Sequence, residues 1–338
     1  MVRRRVVTVL VALSVSLVLT CDAASAAPTG VPLTRLGDVS LPGGASRFDY
    51  QAIDQTTRRL YVAHLGDSTL DVIDLAALRV VATVKHLPDI HGVAVAPDRQ
   101  RVYATATGTN QLATIDAANN QVITHVGTGH FPDGVAYDAD HGLIFVSNKN
   151  DGSLTIIDAT TNTVLNTIKL ADETGNVTYD HTTRTIYAAV RTPDALAAID
   201  PLTRAVTTKT ALPGCDGAHG LYIDPASQRA FVACENNARL VTVDLQRHAE
   251  IGRANIGTGP DVLAFDVALQ RLYIASESGT VTAFNTSTKL PRKLGQSHLA
   301  DAAHTVAVDQ TTHRVYFPLQ NIKGRPVLRV STPTSATR

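Results

Sequence analysis

Tryptophan is absent from this 338-residue chain, and the other large aromatics are few, with Tyr 9 and Phe 7. A core must therefore be built from Val, Ile, Leu and Ala. No sign of charge dominates, since Lys+Arg and Asp+Glu are each 30. Arg3, Arg4, Arg5 and Asp22 fall within residues 1–26, so the remainder carries 27 basic and 29 acidic residues. That balance lacks the electrostatic footprint of a dedicated nucleic-acid binder. A sustained 3.6-residue apolar period is missing, which excludes long amphipathic helices. There is no Gly-x-Ser-x-Gly elbow and no Cys-x-x-Cys-His haem attachment signal. Gly127-Thr128-Gly129 and Gly257-Thr258-Gly259 open no helix that would cradle a phosphate.

What the chain does have is repetition. An aromatic recurs at Tyr61, Tyr103, Phe145, Tyr187, Phe231, Tyr273 and Tyr316, at steps of 42 to 44 residues. Other columns keep the same register. Asp54, Asp138, Asp180, Asp224, Asp266 and Asp309 form one; Asp74, Asp116, Asp158, Asp200 and Asp244 form another. Within each period, Val, Ile and Tyr runs alternate with Gly, Asn, Asp and Pro clusters, as strands and turns require. In the second unit the strands are expected at 92–96, 101–105, 111–116 and 121–126. A constant period carrying four short strands predicts an all-β propeller with four-stranded antiparallel blades. The ends do not match the middle. Residues 33–41 read as a fourth strand with no blade before it, and the last unit runs out after a third strand at 327–330. Joining them predicts seven blades and a ring closed by the N-terminal strand, which removes two exposed edges. The expected domain is 33–331, with a loose tail at 332–338.

Residues 1–26 have a basic start, an apolar run from Val6 to Thr20, and a small-residue pattern at Ala24-Ser25-Ala26. They predict a secretory signal cleaved after Ala26. An uncleaved anchor is a rival, although the apolar run is short for a span. Lipid attachment at Cys21 is another. The expected product is secreted or periplasmic, monomeric and without a transmembrane span. Export permits a disulfide between the two remaining cysteines, Cys215 and Cys234, with two separate thiols as the alternative.

At this point Leu60-Tyr61-Val62-Ala63, Phe145-Val146-Ser147-Asn148 and Leu154-Thr155-Ile156-Ile157-Asp158 stand together with His91-Gly92-Val93-Ala94-Val95. In these runs the chain resembles the YVTN-repeat (YncE-like) seven-bladed propellers, a family of exported bacterial proteins. The resemblance covers about residues 33–331. It is also similar in architecture to lactone-cleaving and streptogramin-cleaving propellers, a likeness that says little about chemistry. The acidic ring that the lactonase likeness implies for calcium is interrupted here by histidine.

One position per unit carries the candidate chemistry. The residues that open the innermost strands are Asp49, His91, Asp133, Gly175 with Asn176, His219, Asp261 and His304. A propeller turns these seven points into a ring at one mouth of the central channel. Three readings are open. The ring is a solvated mouth that binds a small ligand or a protein partner. Alternatively His91, His219 and His304, spread around it, bind a transition metal such as zinc or copper, with the aspartates orienting them. Or the mouth is the site of a metal-dependent hydrolase or lyase. The first is the expectation. Ends of the second strands (His64, Asn148, Arg191, Cys234, Glu235, Ser276, Glu277) are expected to be mostly ordinary surface on the same side.

Overall fold

The computed structural model describes residues 30–334. The expected signal at residues 1–26, Cys21 and residues 335–338 lie outside that range. The described chain forms seven four-stranded antiparallel sheets arranged as a β-propeller. In blade 2 the strands are Ile90–Ala96, Arg101–Ala106, Gln111–Asp116 and Gln121–Gly127. Each agrees with the sequence reading to within two residues. The two aspartate columns are turn devices. Asp54 Oδ1 accepts the N–H groups of Thr56 and Thr57, and Asp158 Oδ1 those of Thr160 and Thr161. A carboxylate at the end of a strand thus satisfies the backbone of the hairpin that follows.

Burial follows the repeat. Buried apolar residues gather into seven clusters, each shared by two neighbouring blades. The seven recurring aromatics are all buried, one in each cluster. A single blade could not bury both faces alone, so stability is a property of neighbours.

The N-terminal strand Leu33–Ser40 lies outermost in blade 7, antiparallel to Arg325–Pro333. Pairing continues through Leu33↔Pro333 and Thr34↔Thr332, so the expected loose tail from residue 332 is corrected: Thr332 and Pro333 belong to the sheet. Pro318 lies within the second strand of blade 7, Val315–Ile322. It has no N–H for the innermost strand, which is reduced to Ala307–Val308. Blade 4 is also irregular, with a cis Thr192–Pro193 bond between its second and third strands. In blade 5, Cys215 and Cys234 are joined by a disulfide with S–S 2.01 Å. It ties the loop before the innermost strand Ala218–Asp224 to the end of the second strand Arg229–Cys234. Among the described residues no helix is long and apolar enough to cross a membrane.

Candidate functional site

The ring residues owe their direction to bulges. In five blades the pairing of first and second strands shifts register at the ring position: between Ile90 and Val93, Pro132 and Val135, Thr174 and Val177, Ala218 and Leu221, and Pro260 and Leu263. A bulge re-aims side chains that a regular ladder would hold to the sheet faces. The glycine that follows two of the histidines sets the packing of the innermost strands. A Cβ on Gly92 would lie 2.2 Å from the Asp133 carbonyl oxygen, and one on Gly220 would lie 2.0 Å from that of Asp261. No larger residue fits without moving the neighbouring blade.

Close approach gathers these side chains into an alternating His–carboxylate circuit. His91 Nε2 is 3.9 Å from Asp49 Oδ2. His304 Nε2 is 3.9 Å from Asp261 Oδ2. His219 Nε2 is 3.1 Å from Asp261 Oδ1 and 3.9 Å from Asp133 Oδ2. Blade 4 breaks the alternation. A Cβ on Gly175 would meet the His219 Cα at 2.6 Å, so the absence of a side chain there lets His219 reach past blade 4 to Asp133. Asn176 instead accepts a hydrogen bond from the Tyr50 hydroxyl, which crosses from blade 1. The same hydroxyl is 3.5 Å from Asp261 Oδ1. Tyr50 and Asn176 line the cavity of about 250 Å³ on the channel side and are absent from the lining of the mouth.

The mouth is a cavity of about 490 Å³. Six carboxylates line it (Asp49, Asp89, Asp133, Glu235, Asp261, Glu277) against the cations Arg47 and Lys149. Arg47 is held to Glu277 at 2.7 Å and stands 3.6 Å from Asp49 Oδ2. Lys149 sits over the Phe131 ring, whose edge meets His91. The expectation of a wet mouth is corrected for most of the ring. Asp49, Asp133, His219, Asp261 and His304 are all buried. Burial, then the like charges of Asp261 and Asp133, push the Asp49 carboxyl well above its ordinary value. Burial acts the same way on Asp261, but the hydrogen bond and charge of His219, with His304 and Arg47, outweigh it and hold this carboxyl low. Burial depresses His219, and its bond to Asp261 with the charges of Asp261 and Asp133 reverses that into a rise. His304 is lowered by burial and stays neutral.

The second set of residues divides. Arg191 pairs with Glu235, and Glu277 pairs with Arg47; these belong to the rim. His64, Asn148, Cys234 and Ser276 are fully buried, not surface. His64 stacks on Phe48 at 4.1 Å, and its Nε2 is 3.0 Å from the Ser46 hydroxyl. Asn148 donates to Ser153 and Thr155. These are contacts inside a blade. Arg47, Tyr50, Phe131 and Lys149 had no place in the sequence reading. Tyr50 and Lys149 each follow directly after a candidate position, Asp49 and Asn148, and that adjacency was the available signal.

The seven-bladed ring is widespread in architecture. The chain is similar to a solved structure of Kuenenia stuttgartiensis hydrazine synthase, at TM-score 0.76 and 15% identity over 87% of this chain and 97% of that one. It is similar to the RRP9 WD40 repeats at TM-score 0.72 and 10% identity, covering 90% and 98% of the two chains. The structure of U3-55K matches at TM-score 0.72 and 10% identity, with 87% and 97% covered. At such identities the likeness is one of fold. No family model matches the chain, and no curated protein matches it.

Proposed function

We propose that this chain is an exported propeller of the YVTN-repeat type. In this reading its channel mouth binds a small positively charged ligand, either a metal ion such as zinc or copper or an organic cation. The observation that carries this reading is the burial of Asp49, Asp133 and Asp261 around one cavity of about 490 Å³. Buried carboxylates cost free energy unless a cation offsets them. Arg47 is already committed to Glu277, and His219 is shared between Asp261 and Asp133, so the lining holds more carboxylates than cations to offset them. The repeat runs from Tyr61 to Tyr316 and the basic-apolar-small order of residues 1–26 support the family and export readings. Localised on the rim, Arg191, Glu235 and Glu277 offer polar contacts to the ligand's outer part.

A metal-dependent hydrolase or lyase is the second reading. It is favoured by the His219–Asp261 pair at 3.1 Å, the arrangement of a general base held by a carboxylate.

The test is made on protein recovered from the exported fraction, with its intact mass measured first. A mass beginning at residue 27 is expected; a lipidated Cys21 or a retained leader would overturn release. Thermal melting of that protein is then followed against divalent metals, spermidine, citrate and a neutral sugar. Ligands that bind only the native state raise the melting temperature. A rise with cations that weakens in Asp133→Asn is expected. A rise with citrate or sugar alone, or with nothing, would overturn the reading.

A further inference from the structure

Three consecutive blades bring one set of donors together. Asp261 from blade 6, His304 from blade 7 and Asp49 from blade 1 are buried, and each offers a ligand atom within 4.8 Å of the other two. Two buried atoms of this set have no hydrogen-bond partner: Asp49 Oδ1 and His304 Nε2. An unpaired buried polar atom carries a desolvation penalty of about 1–3 kcal/mol, so two in one cluster call for a partner that is missing. Both are acceptors. The imidazole Nδ1 of His304 is 3.0 Å from the Ala302 carbonyl, which can only accept, so that nitrogen carries the proton. Nε2 is then a free lone pair, 3.9 Å from Asp261 Oδ2.

We propose that Asp49, Asp261 and His304 bind one divalent first-row transition metal ion. The proposal rests on the reading of the mouth as a cation site and names the cation and its ligands. Two carboxylates neutralise the charge of a divalent ion, and an imidazole with oxygen donors suits zinc, manganese or iron(II). Calcium takes six to eight oxygens and is a poor match to a set that includes imidazole. Soft copper(I) finds no thiolate here, because Cys215 and Cys234 are bonded to each other.

The surroundings complete the arrangement. Each ligand is held by a partner that leaves its free atom available, as outer-sphere groups do in metal sites. Ala302 holds His304, His219 holds Asp261 through Oδ1, and Arg47 faces Oδ2 of Asp49 and leaves Oδ1. Around an ion at about 2.1 Å the donors stand about 3–3.5 Å apart, so loading draws them inward by about 1 Å. The three protein ligands leave coordination positions open toward the mouth cavity, where water or a small anion can bind.

This set replaces the three-histidine one drawn from the sequence. His91 and His219 stand outside the cluster, and each faces a carboxylate that can orient it.

The measurement is calorimetric titration of the untagged mature protein, stripped with chelator, with zinc(II) as the probe. Cobalt(II) absorption reads the ligand field in parallel. One equivalent per chain is expected. Asp49→Asn and His304→Gln are each expected to weaken binding about 100-fold and to remove the cobalt bands, with melting curves showing that both variants fold. Three outcomes would overturn the assignment: no zinc or cobalt binding in the wild type, unchanged affinity in either variant, or loss in His91→Ala with Asp49→Asn unaffected. Spermidine titrated into the same stripped protein separates the two readings. Spermidine binding without zinc binding sinks the metal and leaves the cation site standing, while binding of neither sinks both.

Discussion

Seven side chains occupy equivalent buried places between blades, Tyr in five and Phe at 145 and 231. The hydroxyls of Tyr61, Tyr103, Tyr273 and Tyr316 are buried without a hydrogen-bond partner. Burial pushes the Tyr103 phenol up to about 12, so it stays neutral and simply unpaired. Blades 3 and 5 already show that Phe fills the place. Tyr103→Phe is therefore expected to leave stability unchanged or raise it by about 1 kcal/mol, because the desolvated hydroxyl is removed with little change in shape. Urea titration of variant and wild type checks this, and a loss of similar size would mean that the hydroxyl has a partner in solution. His64 shows the opposite residue-level case. It looked like rim surface in the sequence and is buried against Phe48, Ser46 and Asp71.

At the level of the element, the innermost strand is where fold and site meet. Its bulge aims the ring residue into the mouth, and the glycine after it lets the next blade close in. A Cβ on Gly220 would sit 2.0 Å from the Asp261 carbonyl oxygen, backbone that cannot swing away as a side chain can. Gly220→Ala is expected to cost about 1–3 kcal/mol through overpacking. It would also shift the strand that carries Asp261, so zinc affinity should fall with stability in this one variant. Denaturant midpoints and zinc titration on the same preparation test the link, and an unaltered midpoint would show that the two blades have room to part.

Closure belongs to the whole molecule. Besides the strand Leu33–Ser40, blade 1 is joined to blade 7 by Arg58, whose guanidinium donates both ends to the buried Asp309 carboxylate. Burial opposes ionisation of Asp309, yet the bonds from Arg58, Thr312 and Thr311 hold the carboxyl down at about 2. A folded-state value below the unfolded one stabilises above the ordinary carboxylate range, and that contribution is lost as pH falls through about 2. Asp309→Asn should thus melt below the wild type at pH 7, and the gap should narrow steadily from about pH 5 downward. A gap that stays constant from pH 7 to pH 2 would rule out ionisation as its source. The closing strand also covers the edge that blade 7 would otherwise present to another chain.

The repeat made the architecture legible. A 42-to-44-residue period, strand-forming runs and turn aspartates are local patterns, and local patterns survive in one dimension. The unmatched ends even placed the closing strand, because a lone strand and an incomplete blade can only complete each other. The ring positions were legible too, since one position per repeat becomes one circle. What the sequence did not decide was which members of the circle meet. An even spread of His91, His219 and His304 looked like convergence on an axis. Packing of neighbouring blades favoured consecutive positions instead, and brought Asp261, His304 and Asp49 together. Nor could sequence show that Tyr50 would cross from blade 1 to bond Asn176 of blade 4. Periodicity fixes the order of blades around a ring, whereas rotamers, bulges and the distance between innermost strands fix contacts across it, and those exist only once the ring has closed.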